Sequence, residues 1–205
     1  MSNVNKIKEL LENSNNGIIT STQVNDSGVC RDYLKPLVDS GDIYRYSRGI
    51  YIKSDAWEDD FYLLQQKYKK GIYSHDTALY LLGYSDRTPI NYTMTFPQGY
   101  NCKSLKDECL IVKHTIDKNY ELGVIEIDSP SGNPILIYNL ERTLCDILRG
   151  SGSDIQIINK AMKQYAFSKD KNIFKLMQYA DQLRVKKKVM HYMEVLLWLL
   201  KTLCN

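Results

Sequence analysis

The sequence has no long apolar run and no paired-cysteine motif, and these two absences exclude several classes of protein. Its longest apolar run is Val195 to Leu200, whereas a membrane-spanning helix needs about 20 apolar residues. The five cysteines include no C-x-x-C pair, which argues against a zinc site, and an odd number cannot all pair within the chain. Because the N-terminus also lacks an apolar signal segment, we expect a cytoplasmic protein with reduced thiols and no membrane contact.

The sequence also lacks the short motifs that accompany common catalytic sites. No Asp or Glu stands two positions before a lysine, the pattern of restriction-type nucleases, and no H-E-x-x-H, P-loop or G-x-S-x-G motif is present. His75, His114 and His191 are not at metal-ligand spacing. Ser74, His75 and Asp76 are adjacent, whereas the side chains of a catalytic triad come from separate segments. We therefore predict no enzymatic activity, no metal and no cofactor.

The composition is that of an ordinary globular protein, with 43% apolar and 25% charged residues in 205. The net charge of +3 excludes a uniformly basic, histone-like binder but allows a local basic surface. Residues 1–70 hold equal numbers of basic and acidic side chains, whereas residues 150–205 hold ten lysines and arginines against four acids. Sixteen tyrosines against four phenylalanines favour surfaces that are partly exposed to water.

Residues 1–53 follow the pattern of a winged helix-turn-helix domain. Apolar spacing predicts helices at residues 3–12, 22–26 and 31–40, and alternation around a glycine turn predicts a hairpin over residues 43–52. The last helix of such a domain enters the major groove of DNA, and the hairpin tip reaches the neighbouring backbone or minor groove. A winged helix that binds another protein is the alternative.

Several side chains at the expected DNA-facing positions are of types that contact nucleic acid. Arginine pairs with guanine edges or phosphates, and hydroxyl, amide and backbone N–H groups also bind phosphates. The predicted DNA contacts are Thr22, Gln23, Arg31, Lys35, Arg45, Tyr46 and Arg48. Pro36 removes one backbone donor inside the last helix and should kink it there. Because one such domain binds weakly, we expect paired copies on repeated sites.

The remainder of the chain predicts a linker and a larger domain, which makes the fold class α+β. Residues 54–70 are expected to form a linker helix, with Trp57 packed at the domain junction. Residues 71–205 are expected to form a mixed α/β domain that ends in a helical bundle. Its predicted strands are residues 91–96, 110–116, 124–127 and 135–138. Its predicted helices follow an N-capping Ser74 and cover residues 139–148, 155–167, 171–183 and 185–203.

Two polar groups in the larger domain are candidate sites. The first is a set on one predicted helix, Glu141, Arg142 and Asp146. A surface set of ion pairs at helical spacing explains this set equally well. The second, which we name the basic run, consists of Arg184, Lys186, Lys187 and Lys188. It is either a solvated face or a second surface for nucleic acid or a partner.

Three segments of the chain together carry a resemblance to a known family. They are SRGIY at residues 47–51, YSHDTALYLLGYSD at residues 73–86 and YNLERTLCD at residues 138–146. In this order and spacing they resemble the AbiEi antitoxin family of bacterial abortive-infection systems. The resemblance extends over nearly the whole chain, to about Leu197.

The resemblance implies a two-domain antitoxin of a type IV toxin–antitoxin system. The winged helix is then expected to bind inverted repeats in double-stranded promoter DNA and to repress its own operon. The C-terminal domain is expected to counter AbiEii, a nucleotidyltransferase-like toxin, without a stable complex, and to assist repression. Asn139 replaces the acidic residue expected before Leu-Glu-Arg-Thr, which argues against a catalytic role at that position.

Two other functions stay open at this point. One is a plain winged-helix transcription factor whose second domain senses a ligand. The other is an enzyme that acts on the toxin or its substrate through Glu141, Arg142 and Asp146. A neighbouring gene for a nucleotidyltransferase-like protein would favour the antitoxin over both.

Overall fold

Helices and strands alternate along the chain and separate into two units. The computed structural model describes residues 2–101, 109–150 and 153–203. The first unit comprises Met1–Lys69 and Ile127–Ile135, and the second comprises Lys70–Glu126 and Leu136–Asn205. The mixture of helices and two separate sheets confirms the predicted α+β class. Two of the cysteines, Cys102 and Cys204, lie outside the described residues.

The first unit is built from short helices around a three-stranded antiparallel sheet. Its α-helices are α1 (Asn3–Asn13), α2 (Ser21–Asp26), α3 (Leu34–Asp39) and α4 (Asp60–Lys67). Its strands are β1 (Ile18–Thr20), β2 (Ile43–Ser47) and β3 (Ile50–Lys53), in the order β1-β3-β2. The apolar faces enclose a core that includes Ile7, Leu11, Ile19, Val24, Leu34, Leu37 and Ile43.

The strand β1 is the element of this unit that local pattern does not predict. Ile18 and Ile19 are too few to show an alternation, yet they pair with β3, and Ile18 lies opposite Ile52. All three isoleucine side chains are almost completely buried. A strand this short is stabilised by pairing with a distant segment and by burial, so its own sequence carries little signal.

Glycines end α2 and α3 and produce the tight turns that follow them. Gly28 and Gly41 both adopt a φ of +78°, the left-handed region that favours glycine. The N–H of the next residue then donates back to the carbonyl of Val24 after α2 and of Leu37 after α3. This is the Schellman arrangement, which satisfies carbonyl groups at a helix end. Each helix therefore ends at a turn whose backbone groups are hydrogen-bonded.

The predicted helix over residues 31–40 is divided in the structure. Arg31–Tyr33 form a single 3-10 turn, and the α-helix begins only at Leu34. Pro36 therefore lies in the first turn of α3, where a backbone N–H has no partner within the helix. The prediction that Pro36 kinks the middle of a continuous helix is wrong, because the helix restarts before Pro36 instead.

A buried carboxylate joins two distant segments of the first unit. Asp59 is 2% exposed, and its Oδ1 accepts a hydrogen bond from the backbone N–H of Tyr62 at 3.1 Å, which caps α4. Its Oδ2 accepts from the Ser129 hydroxyl and from Asn133 Nδ2, the latter at 2.7 Å. A buried carboxylate is tolerated only when such donors surround it. Asp59 thus links the start of α4 to residues 129–133.

The segment predicted as a linker helix lies within the first unit. Its helix α4 buries Phe61 and Leu63, with Leu63 completely inaccessible. Trp57 is 87% exposed, so the expectation that it packs at a domain junction is wrong. The apolar side chain of Trp57 suggested that it is buried. The residues next to it in the linker are mostly polar, however, and do not pack over the ring.

We predict that Asp59→Ala lowers the free energy of unfolding by about 2 kcal/mol, because it removes a helix cap and leaves buried donors without an acceptor. Urea unfolding followed by circular dichroism measures this change. Asp55→Ala is the matched control, because Asp55 forms only an exposed pair with Lys53 at 3.2 Å. The control should change stability by less than about 0.5 kcal/mol. Equal losses in the two variants would contradict the role given to Asp59.

The second sheet has five strands in the order β6-β5-β4-β8-β7. These strands are β4 (Ile72–Tyr73), β5 (Tyr92–Pro97), β6 (Leu110–Thr115), β7 (Val124–Asp128) and β8 (Pro134–Tyr138). β4 pairs antiparallel with β5 and parallel with β8, and β5 pairs parallel with β6. The four strands predicted in this part of the chain are confirmed, and the two-residue β4 is again too short to predict.

The helices of the second unit share a core beside this sheet. They are α5 (His75–Leu81), α6 (Asp117–Tyr120), α7 (Leu140–Ile147), α8 (Ile155–Phe167), α9 (Ile173–Gln182) and α10 (Lys186–Leu203). The core includes Leu79, Leu144, Ile158, Met162, Tyr165, Leu176 and Val189. Within the described ranges, no helix combines the length and the apolar character that crossing a membrane requires.

Candidate functional site

A groove of about 600 Å³ lies between α3 and the β2–β3 hairpin in the first unit. Four of the predicted DNA contacts line it together: Arg31, Lys35, Arg45 and Arg48. Arg31 and Lys35 come from the 3-10 turn and α3, and the other two arginines come from β2 and the turn after it. Tertiary structure therefore brings basic side chains from two separate elements to one surface.

The basic side chains of this groove are exposed and lack acidic partners. None of the four forms an ion pair within residues 2–101, 109–150 and 153–203, although Arg45 Nε donates to the Ser47 carbonyl at 3.3 Å. The acidic Asp32 also lines the groove. Like charges that line one groove repel one another, so a polyanion placed in the groove would be attracted by all four.

Gly49 fixes the position of the hairpin turn and therefore the position of Arg48. Gly49 adopts a φ of +80°, and its carbonyl accepts a hydrogen bond from the backbone N–H of Ser21 at 2.8 Å. A Cβ atom at Gly49 would lie 2.8 Å from Ser21 Oγ, which is too close for any other residue type without a shift. The turn is thereby held against the start of α2, and Arg48 lies on the same groove as α3.

Three predicted DNA contacts are not among the residues that line the groove. Thr22 lies exposed in α2, next to Gln23. Gln23 has a structural role, because its Oε1 accepts from the backbone N–H of Thr20 at 2.8 Å and completes a capping box. Tyr46 lies at an irregularity in the β2–β3 register, where burial and then the nearby Glu58 carboxylate raise the pKa of its phenol.

Two groove residues, Ser21 and Tyr51, were not predicted to take part. Tyr51 pairs with Arg45 in the hairpin register, so the two side chains are neighbours across the strands. A regular register drawn from the turn would have placed Tyr51 opposite Tyr46, and the irregularity between Arg45 and Ser47 shifts the pairing to Arg45. Ser21 could not be found in this way, because its place depends on how α2 packs against the hairpin turn.

In the second unit, Arg142 is buried rather than exposed. It is 1% exposed, and its Nε donates to Asp146 Oδ2 at 2.9 Å. Its Nη1 donates to the carbonyls of Asn119 and Leu122 at 2.5 and 2.9 Å, and its guanidinium lies 4.1 Å from the centre of the Tyr138 ring. The alternative of a surface set of ion pairs is therefore wrong, because Arg142 and Asp146 form a buried pair with further partners.

Glu141 has different partners from the Arg142–Asp146 pair. Its Oε1 accepts from the Tyr165 hydroxyl at 3.3 Å, and its Oε2 lies 3.5 Å from Lys175 Nζ. The three residues predicted as one polar site therefore divide into two separate clusters. Residues 141, 142 and 146 are all polar in sequence, and their spacing does not show which partners each side chain has once α7 is packed.

The Arg142–Asp146 pair lies on the wall of a second pocket, of about 190 Å³. Its other lining residues include Lys113 and Thr115 from β6, and Arg149 from the segment after α7. Lys113 is partly buried, Arg149 is exposed, and neither forms an ion pair among the described residues. No sequence pattern connects these residues, because they come from a strand and a helix that are distant along the chain.

Ser74 and His75 lie beside this pocket in an unusual backbone arrangement. Ser74 precedes α5, but its side chain does not cap the helix and instead accepts from Thr95 Oγ1 at 2.9 Å. His75 adopts a φ of +52°, which is uncommon for a residue other than glycine, and its Nδ1 lies 3.0 Å from Ser74 Oγ. Burial lowers the pKa of His75 to about 3, and the charges of Lys113 and Arg142 act in the same direction.

Two side chains of the basic run form contacts within the second unit. Lys186 pairs with Asp181 at 3.2 Å, and Lys188 Nζ donates to the Leu148 carbonyl at the end of α7, at 2.8 Å. Arg184 adopts a φ of +60° at the end of α9, in the position where glycine usually stands. All four side chains remain exposed, but these contacts give two of them a structural role.

We predict that His75→Asn flattens the pH dependence of stability. Because the pKa of His75 falls from an ordinary 6.5 to about 3 on folding, the unfolded chain binds a proton that the folded chain excludes. The stability contributed by neutral His75 is therefore complete above about pH 6.5 and is lost as the pH falls towards 3.

Urea unfolding at a series of pH values between 7 and 4 checks this prediction. The wild-type protein should lose more unfolding free energy over this range than His75→Asn, whose side chain also tolerates a positive φ. The difference in slope is independent of any constant loss of packing in the variant. Parallel curves for the two proteins would contradict the burial of a neutral imidazole.

Comparison with known proteins finds a similar fold but assigns no function. The chain is similar to the crystal structure of the RV2827C protein from Mycobacterium tuberculosis, with a TM-score of 0.56 and 14% sequence identity. The similarity covers 94% of this chain and 79% of the other. No family model and no curated protein matches the sequence. At this identity, the likeness shows a shared fold alone.

Proposed function

We propose that the protein is an antitoxin and transcriptional autorepressor of a bacterial abortive-infection toxin–antitoxin operon. The first unit would bind inverted repeats in promoter DNA, and the second would counteract a nucleotidyltransferase-like toxin. The observation that carries the DNA-binding part is the groove in which Arg31, Lys35, Arg45 and Arg48 meet without acidic partners. The antitoxin part rests on the resemblance to the AbiEi family.

The order of elements in the first unit supports a winged helix-turn-helix. Three helices are followed by a two-stranded hairpin, and the short strand β1 adds to its edge in the order β1-β3-β2. In this interpretation the 3-10 turn and α3 together form the recognition helix, and the β2–β3 hairpin is the wing. The N-terminal residues of a recognition helix contact base edges, which suits the positions of Arg31 and Lys35.

The distribution of charge supports a duplex as the ligand. Basic side chains border the groove on the recognition-helix side and on the wing side, so one surface can grip the major groove and the adjoining backbone. A chain with a net charge of only +3 would bind DNA weakly as a single copy. Two copies on an inverted repeat would add their contacts, which agrees with the operator geometry that we propose.

The expected effect of Arg31→Ala combined with Arg48→Ala is a loss of promoter affinity of about 10- to 100-fold, because each arginine supplies a phosphate or base contact. The slope of the logarithm of affinity against the logarithm of salt concentration should also fall by about 1 for each phosphate that the variant no longer neutralises. Fluorescence anisotropy with a labelled promoter fragment, over a salt series, measures both quantities.

Lys6→Ala is the matched control for this experiment. Lys6 is an exposed cation of the same unit, on α1, and it does not line the groove. The substitution removes one positive charge without touching the proposed interface, so the affinity should stay close to that of the wild type. Unchanged promoter affinity in the double variant, or an equal loss in Lys6→Ala, would reject the DNA-binding role of the groove.

The second unit brings together the two segments that carry the family resemblance there. Residues 73–86 contribute α5, residues 138–146 contribute most of α7, and Leu79 and Leu144 share one core. His75 and Arg142, one from each segment, line the same pocket. This proximity supports a common functional role for the two segments, and we assign the antitoxin activity to this unit.

Protection from the toxin should survive the loss of DNA binding, since the two activities belong to different units. We expect the full-length Arg31→Ala/Arg48→Ala variant, expressed from an inducible promoter, to rescue growth when the operon's toxin is co-expressed. The same variant should fail to repress a reporter driven by its own promoter. Growth yield and reporter activity measure the two outcomes. Loss of rescue in a folded variant would show that protection requires DNA binding.

A plain transcription factor with a ligand-sensing second domain is the second candidate. The observation that favours it is the polar pocket of about 190 Å³ beside the Arg142–Asp146 pair, which has room for one polar group of a ligand. The two candidates separate on rescue, because a plain transcription factor gives no protection against a co-expressed toxin. Lack of enzymatic activity stays a prediction in both cases.

A further inference from the structure

We propose that the pocket of about 190 Å³ in the second unit binds a phosphate group. The pocket lies in the unit that we have not assigned to DNA, and the proposal does not depend on the antitoxin role. It rests on the charges of the lining residues, on one buried hydroxyl group without a partner and on the size of the cavity.

The charges on the pocket wall favour an anion. Arg142 and Asp146 neutralise one another at 2.9 Å, so their pair adds no net charge. Lys113 and Arg149 remain, and neither is paired with a carboxylate in the part of the chain that the structure describes. The pocket therefore carries two uncompensated positive charges, which matches the charge of a phosphate dianion.

A buried hydroxyl group of the pocket lacks a hydrogen-bond partner. Thr115 is 5% exposed, and its Oγ1 has no partner among the described residues. Buried polar atoms in folded proteins are nearly always satisfied, so the unpaired Thr115 hydroxyl, on a residue that lines the cavity, is available to a ligand atom. A phosphate oxygen accepts from a threonine hydroxyl and would satisfy it.

Part of the pocket is fixed before any ligand arrives. The Arg142 guanidinium is held in place by Asp146 and by the carbonyls of Asn119 and Leu122. Thr95, also on the wall, is fixed by its hydrogen bond to Ser74. A site whose polar groups are already oriented loses little side-chain freedom when an anion binds.

The pocket is large enough for a single phosphate group but not for a whole nucleotide. Its volume of about 190 Å³ is below the range of about 300–1,000 Å³ typical of pockets that enclose small molecules. A tetrahedral oxyanion fits in this space, and the rest of a larger molecule would have to stay outside. Free phosphate and the terminal phosphate of a nucleotide share this chemistry, and the experiment separates them.

Isothermal titration of the full chain with inorganic phosphate tests the proposal. The ionic strength is held constant with chloride, and all proteins carry Arg31→Ala and Arg48→Ala, which removes two of the four groove cations of the first unit and weakens anion binding there. We expect saturable binding in this background. Adding Lys113→Gln with Arg149→Gln should weaken it at least about tenfold, since both uncompensated charges are removed.

Thr115→Val separates binding from a merely structural effect. Because Thr115 Oγ1 is unsatisfied, the valine variant should be as stable as its parent or more stable without phosphate, yet bind phosphate several-fold more weakly. Lys118→Gln is the matched control, since Lys118 is an exposed cation of the same unit outside the pocket. It should leave phosphate binding unchanged.

Titration with adenosine monophosphate identifies the source of the phosphate. Tighter binding of the nucleotide than of inorganic phosphate assigns the site to a phosphate end of a larger molecule, and the reverse assigns it to free phosphate. Absence of saturable binding of either ligand would overturn the proposal. So would full binding in the Lys113→Gln/Arg149→Gln variant, or an equal loss in Lys118→Gln.

Discussion

The second unit depends on the partners of one buried positive charge, that of Arg142. The Arg142 side chain is 1% exposed, so the burial of its positive charge requires a countercharge and hydrogen-bond acceptors. Asp146 supplies the countercharge, two carbonyls near α6 supply acceptors, and Tyr138 supplies the face of its ring. The loss of any one partner would leave the buried charge of Arg142 less well compensated, which is energetically costly. The contacts of Arg142 therefore hold α6, α7 and β8 in one arrangement.

In the first unit, by contrast, the four basic side chains of the groove are exposed and line one surface. The repulsion among the groove cations is offset by the core beneath them, in which α1, α2 and α3 bury Ile7, Val24 and Leu34. The hydrogen bond from Ser21 to the Gly49 carbonyl then holds the hairpin turn against α2. A groove built on a packed core and a fixed turn presents its charges in one geometry, which suits the duplex binding that we propose.

Prediction from sequence succeeded where a segment was long and its pattern repeated. The predicted helix at residues 155–167 matches α8, and the glycine turn placed the β2–β3 hairpin. The two short strands β1 and β4 were missed, because their pairing partners lie far along the chain. The error at Trp57 and the undecided role of the set at Arg142 have the same cause. Residue type gives only an average burial, and the actual burial is set by the neighbours that folding supplies.

The sequence by itself determined the α+β class, the succession of helices and strands, and the residue types that could meet nucleic acid, because these properties follow from local periodicity, turn residues and composition. Only the tertiary structure decided that four of the predicted basic contacts share one groove, that Gln23 serves as a helix cap, and that Glu141 is separate from Arg142. Such relations join residues that are distant in sequence or that lie on different faces of one helix. They are determined by packing, which no local pattern encodes.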